Sequence, residues 1–155
     1  MPEVISSGLL MYSLNNGKVK IFLVHPGGPF FTKKDDGYWG IPKGLVEKDE
    51  DLMIAAKREF EEETGIKPDG EFIPLGKIMQ KGGKRVYAWA FNCAINEPIG
   101  IICNTFSMEW PPKSGKYQNF PEVDRGAFFT VEEAEKKINS AQKEFIDRLL
   151  EYLKK

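Results

Sequence analysis

The residues with the clearest chemical potential lie between Gly44 and Ile66, in the stretch GLVEKDEDLMIAAKREFEEETGI. Each residue of an α-helix advances by about 100° around the axis, so Glu59, Glu62 and Glu63 fall within one narrow arc. Three neighbouring carboxylates that are partly desolvated repel one another and resist ionising unless a cation neutralises them. Clustered oxygen ligands suit the hard ions Mg²⁺ and Mn²⁺ better than zinc.

The helix that carries these acids should turn the same face towards the rest of the protein. Leu52, Ala55 and Ala56 share or flank the arc of carboxylates, while Lys57 and Glu61 lie roughly opposite, where a solvated face belongs. A charged surface helix is the plain alternative, because most Glu-rich stretches are of that kind. Helical spacing alone leaves the metal site and the charged surface equally open.

The fixed residues of this stretch are also spaced as in a known motif. Gly44 is followed after five residues by Glu50 and, after seven more, by Arg58-Glu59-Phe60-x-Glu62-Glu63-x-Gly65-Ile66. This pattern resembles the full Nudix box, which chance would produce in far fewer than about one in a million chains of this length. The resemblance implies the Nudix fold, an α/β/α sandwich with a mixed sheet, over essentially the whole chain.

The resemblance further implies a reaction and a role for each motif residue. Nudix enzymes hydrolyse a nucleoside diphosphate linked to another group, by attack of water on phosphorus. The implied cofactor is Mg²⁺ or Mn²⁺, and its implied ligands are the Gly44 carbonyl and the carboxylates of Glu59, Glu62 and Glu63. Arg58 would act with Glu59 and Glu62 in catalysis by orienting them, and Glu50 would support the loop.

The general base that activates the water is left open by the resemblance. In some family members the glutamate that matches Glu59 takes the proton, and in others a glutamate from a loop outside the box does so. The loop candidates in this chain are Glu97, Glu109 and Glu122. Such a base contributes about two to four orders of magnitude in rate.

The segment before the box gives the expected substrate contacts. The sequence WGIPKG, from Trp39 to Gly44, resembles hydrolases of dinucleoside polyphosphates and of diphosphoinositol phosphates, in which a basic residue at the Lys43 position lies near the phosphate chain. Diadenosine polyphosphate hydrolases often carry a tyrosine about seventeen residues after the box, and here Gly83 holds that position. The substrate-binding residues that we expect are Lys43, Trp39, Lys33 and Lys113.

We expect a dinucleoside polyphosphate or a nucleoside triphosphate as the substrate, with sugar nucleotides and 5′-capped RNA still open. A protein that binds a nucleotide as a sensor without hydrolysing it is the alternative from another functional class. The segments HPGGPF and EWPPKSG resemble those of a subgroup of bacterial Nudix proteins.

Two loops combine aromatic residues with lysines. The first runs from Pro29 to Gly37, and we expect its Phe30 and Phe31 to pack against the end of the sheet. The second runs from Pro111 to Pro121, and packing and ligand binding are both open for it.

Composition limits the remaining possibilities. The chain of 155 residues fits one domain over 1–155, and its net charge of −1 favours neither a nucleic-acid nor a membrane partner. Cys93 and Cys103 form no metal-ligand or redox pattern, and no basic leader or long apolar run is present. We therefore expect a cytoplasmic enzyme with a small nucleotide as its partner, and a homodimer is left open.

Periodicity predicts the elements that must position these residues. A hairpin is expected around Asn16-Gly17, a helix from the acidic run at Asp49 to Thr64 with Gly65 as its stop, and two helices at the end of the chain. The predicted strands are 4–12, 18–25, 71–80, 84–95, 105–110 and 122–130, and the terminal helices are 130–139 and 140–153.

Overall fold

A computed structural model of the chain describes residues 4–93 and 105–154. Glu97, Cys103 and the end of the strand predicted over 84–95 lie outside the described residues. Cys93 is a free thiol, as expected. Among the described residues, no helix is both long enough and apolar enough to cross a lipid bilayer.

A six-stranded mixed sheet forms the centre of the fold. In chain order the strands are β1 (Val4–Asn15), β2 (Lys18–Pro26), β3 (Lys43–Leu45), β4 (Ile73–Gln80), β5 (Lys84–Asn92), β6 (Thr105–Glu109), β7 (Tyr117–Pro121) and β8 (Val123–Thr130). The sheet order is β4-β5-β1-β2-β8, with β3 paired to β1, while β6 and β7 form a separate hairpin. β1 is parallel to β5 and antiparallel to β2 and β3.

Three α-helices cover the sheet, and local signals set their ends. Helix α1 (Leu52–Thr64) begins after Asp51, whose carboxylate accepts from two amides of the first turn, and ends at Gly65 with φ of 75°. Helix α2 (Val131–Lys137) starts with the predicted capping box of Thr130 and Glu133. A short 3₁₀ helix (Ser140–Gln142) then leads into α3 (Lys143–Leu153).

The two faces of the sheet carry two separate apolar cores. On one face Phe60 of α1 packs against Phe22 and Phe91. On the other, Phe145 and Ile146 of α3 join a larger cluster that includes Trp39. The chain therefore has the α/β/α sandwich with a mixed sheet that the motif resemblance implied.

Two loop segments differ from their predictions. The stretch Pro111 to Pro121 was expected to be a loop, but Tyr117–Pro121 pairs with β6 as strand β7. Phe30 and Phe31 are 56% and 37% exposed, and Phe30 contacts the Trp110 ring edge-on at 5.4 Å, which corrects the expected packing against the sheet end.

His25 connects three parts of the molecule at the end of β2. The ring is fully buried, with Nδ1 2.8 Å from the Asp124 carboxylate of β8 and Nε2 2.6 Å from the Lys34 carbonyl. It also meets the Trp39 ring edge-on at 5.2 Å. His25, the last residue of the strand predicted over 18–25, therefore holds the loop that follows β2 against the sheet.

Candidate active site

Strand β3 and helix α1 place the motif residues at the edge of the sheet. Gly44 pairs with Ser7 of β1, and the Val46 amide donates to the Ile5 carbonyl at 3.0 Å. These backbone bonds fix the start of the loop that leads into α1. The helix then points its acidic face back towards β3, because Ala55, Ala56 and Phe60 on the same side are buried against the sheet.

Arg58 gathers the carboxylates on one side of the helix. Its Nε and Nη2 donate to the two Glu50 oxygens at 2.8 and 2.9 Å, a bidentate pair. Its Nη1 donates to Glu59 at 2.8 Å and Glu62 at 3.2 Å, and Nη2 also donates to the Leu45 carbonyl. The hydrogen bonds from Arg58 lower the pKa of Glu50 to about 2.

Glu63 lies in a different environment from Glu50. Burial raises the pKa of its carboxyl to about 8, although a hydrogen bond from the Lys43 backbone opposes the shift. Its Oε2 atom is buried and has no hydrogen-bond partner among the described residues. Burial also raises the pKa of Glu59, while Arg58 opposes that shift, and burial lowers the pKa of the Lys43 amine.

The absence of a side chain at Gly44 leaves space for the Glu59 carboxylate. A β-carbon at this position would collide with the Glu59 carboxylate. Gly44 lies in extended strand β3 and is not among the glycines with positive φ, so an unusual backbone conformation is not what selects glycine here. The missing side chain lets the Glu59 carboxylate approach the backbone of β3.

The carboxylates fit a divalent cation in type and environment. In the described part of the chain, no three acidic, histidine or cysteine side chains converge as a ready metal site, since Arg58 binds Glu59 and Glu62. The unpaired oxygen of Glu63 and the desolvated carboxyl of Glu59 are nevertheless the hard oxygen donors that Mg²⁺ and Mn²⁺ prefer.

A cavity of about 210 Å³ opens beside Glu63. Its charged wall consists of Lys43, Glu63 and Glu122, and its amide wall consists of Gln80, Asn139 and Gln142. The remaining lining residues are Val24, Pro26, Tyr38, Trp39, Gly40, Ile41 and Val123.

The cavity brings together two of the four predicted substrate residues. Lys43 and Trp39 line it, although Trp39 is only 5% exposed and its indole N–H donates to Asp35 at 2.8 Å. Lys33 and Lys113 are exposed and do not line this cavity.

The structure separates the three loop candidates for the general base. Glu122 lines the cavity, and its negative charge adds to the raised pKa of both Glu59 and Glu63. Glu109 instead accepts from the Lys113 and Gly115 amides at 3.0 and 3.2 Å, which holds the turn of the β6–β7 hairpin. Glu97 lies outside the described residues.

Sequence reasoning missed the amide wall entirely. Gln80 ends an edge strand, Gln142 is the last residue of a single turn of 3₁₀ helix, and Asn139 precedes that turn, where asparagine usually serves as a cap. Asn139 does cap that turn, by accepting from the Ala141 amide at 2.9 Å. No spacing rule indicates that these three residues line one cavity, because only the tertiary packing of the 3₁₀ helix on β4 brings Gln142 to Gln80.

Comparisons with known proteins agree with this architecture. Residues 7–149 match the family model of the NUDIX domain. The fold also matches a C. elegans Ap4A hydrolase in complex form, with a TM-score of 0.68 and 20% identity, over 97% of this chain and 98% of that one.

Two curated relatives align over shorter segments. Nudix hydrolase 7 of Arabidopsis thaliana is 35% identical over 67 residues, which is 43% of this chain and 22% of that protein. An RNA pyrophosphohydrolase of Pelagibacter ubique is 42% identical over 57 residues, which is 35% of this chain and 36% of that protein. The matched segments thus span about a fifth and about a third of these relatives.

Proposed function

Because the chain belongs to the Nudix domain family, we propose that it hydrolyses a phosphoric anhydride bond of a nucleotide in the presence of a divalent cation. The observation that carries the proposal is the buried, unpaired Glu63 oxygen beside the desolvated Glu59, in the wall of a cavity that also presents Lys43. A purely structural acidic helix would expose or pair these acids.

Glu59, Glu62, Glu63 and the Gly44 carbonyl would hold the cation, which is Mg²⁺ or Mn²⁺ by the hardness of these donors. When bound, such an ion neutralises charge on the phosphate oxygens and acidifies a water. Arg58 keeps Glu59 and Glu62 directed to one side through its hydrogen bonds of 2.8 and 3.2 Å. Lys43 offers a cation to the phosphate chain from the charged wall.

Glu122 is the general base that we propose. It lies in the cavity wall close enough to Glu59 and Glu63 to affect their pKa, yet its residue is exposed and it is in none of the described salt bridges. Glu59 is less suited to accept a proton from water, because Arg58 already occupies one of its oxygens.

A dinucleoside polyphosphate or a nucleoside triphosphate is the substrate class that we propose, since the cavity of about 210 Å³ combines room for one nucleobase with the charged residues Lys43, Glu63 and Glu122. The sensor alternative predicts binding of the same ligands without turnover. Phosphate and pyrophosphate release from a panel of nucleotides, with and without Mg²⁺, separates the two functions. Metal-dependent release supports the enzyme, whereas binding of a nucleotide without release from any of them would contradict it.

A further inference from the structure

The hydrogen-bond donors and acceptors of the amide wall limit which ligand group can lie against it. Gln142 is 3% exposed, and Gln80 and Asn139 are half-buried beside it. A buried amide that also lines a cavity either bonds only to the protein or keeps bonds for a ligand. The partners of these three side chains decide between the two possibilities.

Hydrogen bonds fix which way each amide group points, through backbone donors for Gln142 and Asn139 and through Gln142 for Gln80. The Ile41 amide donates to Gln142 Oε1 at 2.9 Å, and the Ala141 amide donates to Asn139 Oδ1 at 2.9 Å. A backbone N–H can only donate, so the accepting atom must be the side-chain oxygen in both cases. The nitrogen of Gln142 is then the atom 3.4 Å from Gln80, which must present its oxygen in turn.

The hydrogen-bonding capacity that is left consists mainly of donors. Each amide nitrogen carries two N–H groups, and the contact between Gln142 and Gln80, at 3.4 Å, is a long bond that uses at most one of them. The oxygens of Gln80, Asn139 and Gln142 each accept one hydrogen bond within the protein, so each keeps at most one lone pair, against up to two N–H groups on each nitrogen. The amide wall therefore suits a ligand edge that is rich in acceptors.

The rest of the cavity suits a flat ring. Val24, Ile41 and Val123 supply apolar lining, and Tyr38, which is 44% exposed, supplies an aromatic surface. A cavity of about 150 Å³ is enough to hold benzene, so the 210 Å³ here have room for a heterocyclic base. A β-carbon at Gly40 would lie 2.8 Å from Gln142 Oε1, so glycine at this position leaves the space that the amide occupies.

We propose that Gln80, Asn139 and Gln142 recognise the acceptor edge of a 6-oxopurine, so that the nucleobase of the substrate is guanine or hypoxanthine and not adenine. The proposal rests on the proposed function only in taking the ligand to be a nucleotide. Guanine presents O6 and N7 side by side as acceptors, whereas adenine has an amino donor in place of O6. That donor would face the N–H groups of the amide wall.

The direct test compares the dissociation constants of GMP, IMP and AMP for the full-length protein by calorimetry, without added metal. None of the three contains an anhydride bond, so the measurement is independent of turnover. We expect GMP and IMP to bind about 5- to 150-fold more tightly than AMP. Equal affinities for GMP and AMP, or no binding of any of them at millimolar concentration, would overturn the proposal.

IMP separates the acceptor edge from the rest of the base. Hypoxanthine keeps O6 and N7 and lacks the amino group of guanine. If IMP binds as weakly as AMP, the protein recognises the guanine amino group and not the acceptor edge, and the assignment of the amide wall is wrong.

The matched variant is Gln142→Glu, which keeps an oxygen for the Ile41 amide and replaces the donor nitrogen by an acceptor. We expect the preference for GMP over AMP to fall to about onefold or to reverse. Asn139→Asp makes the same exchange at a half-buried position, and it carries the test if Gln142→Glu does not fold. Gln118→Glu, on the exposed surface of β7, is the control and should keep the wild-type ratio.

The two proposals fail in different ways. Unchanged GMP preference in folded Gln142→Glu and Asn139→Asp would overturn the role of the amide wall and leave hydrolysis untouched. Absence of nucleotide hydrolysis together with a GMP preference that these variants abolish would remove the proposed function and leave the base site.

Discussion

Glu50 and Glu63 belong to the same short segment, yet their surroundings shift their pKa values in opposite directions. Glu50 receives two hydrogen bonds from Arg58 and one from the Glu47 amide, and its pKa falls to about 2. Glu63 is half-buried in the cavity wall, its buried Oε2 atom has no hydrogen-bond partner among the described residues, and its pKa rises to about 8.

The difference teaches which acids support the fold and which are kept for a ligand. Glu50 finds its charge partner, Arg58, inside the protein, as is typical of a structural ion pair. At Glu63 the nearest cation, Lys43, is itself desolvated, so that the charge of the carboxylate is not fully compensated. Such an uncompensated acid is a cost to folding that a bound cation would relieve.

Replacing Glu63 by Gln should have the largest effect. The change removes the carboxyl group that would bind the cation and keeps the shape of the side chain, so the protein should stay folded while turnover falls by about three orders of magnitude or more. Steady-state kinetics at saturating Mg²⁺ checks this. Glu61→Gln, on the exposed side of the same helix, is the matched control. Wild-type turnover in folded Glu63→Gln would refute the assignment of Glu63.

Replacing Arg58 by Leu should instead act on stability. The substitution removes the hydrogen bonds that Arg58 donates to Glu50, Glu59 and the Leu45 carbonyl, and we expect the free energy of unfolding to fall by about 2 to 3 kcal/mol in urea denaturation. Arg58→Lys should recover only part of this loss, because lysine cannot make the bidentate pair with Glu50. Full recovery by lysine would contradict the geometry described here.

Gly44→Ala tests the close approach of the Glu59 carboxylate to strand β3. The added β-carbon must push the Glu59 carboxylate away from β3, so turnover should fall by about 10²-fold while the fold persists. Leu45→Ala, one residue along the same strand and 60% exposed in the native protein, should leave the rate close to that of the wild type. If Gly44→Ala keeps wild-type kinetics, the position of Glu59 is not critical.

The pH dependence of the free energy of unfolding should show the titration of both Glu63 and Glu50. The pKa of Glu63 is raised from 4.5 to about 8, so its stabilising contribution is complete below pH 4.5 and is lost as the pH rises through about 8. The pKa of Glu50 is lowered from 4.5 to about 2, so its contribution is present above pH 4.5 and is lost as the pH falls through about 2.

Urea unfolding of the wild type, Glu63→Gln and Glu50→Gln across this pH range shows which residue causes the loss of stability towards pH 8 and which causes the loss towards pH 2. Glu63→Gln should remove the decline towards pH 8, and Glu50→Gln should weaken the decline towards acid. A wild-type profile that is flat between pH 4.5 and 8 would contradict the buried state of Glu63.

Helix α1 is the element that the sequence predicts best, and the reason is local. Asp51, Gly65 and the spacing of the glutamates act within a few residues of one another, so the end of the helix and the face of the acids follow from the chain itself. The family motif adds the fold through its resemblance to the Nudix box.

The amide wall and the role of Gly44 could not be predicted in the same way. Gln80 and Gln142 are 62 residues apart and meet only through the packing of the 3₁₀ helix on β4. The need for glycine at Gly44 depends on a carboxylate fifteen residues later that folds back onto β3. Similarly, the sequence predicts a loop at β7, because Pro111, Pro112 and Gly115 precede the strand and Pro121 ends it, although the strand pairs with β6.

The most direct test of the cation site is the number of protons released when Mg²⁺ binds at pH 7, obtained by calorimetry in two buffers of different ionisation enthalpy. Because the pKa of Glu63 is about 8, its carboxyl group is mostly protonated at pH 7. The wild type should therefore release on the order of one proton when Mg²⁺ binds to that carboxyl group. Glu63→Gln should release none. Binding of Mg²⁺ by the wild type without proton release, or no binding of Mg²⁺ or Mn²⁺ at all, would contradict the account.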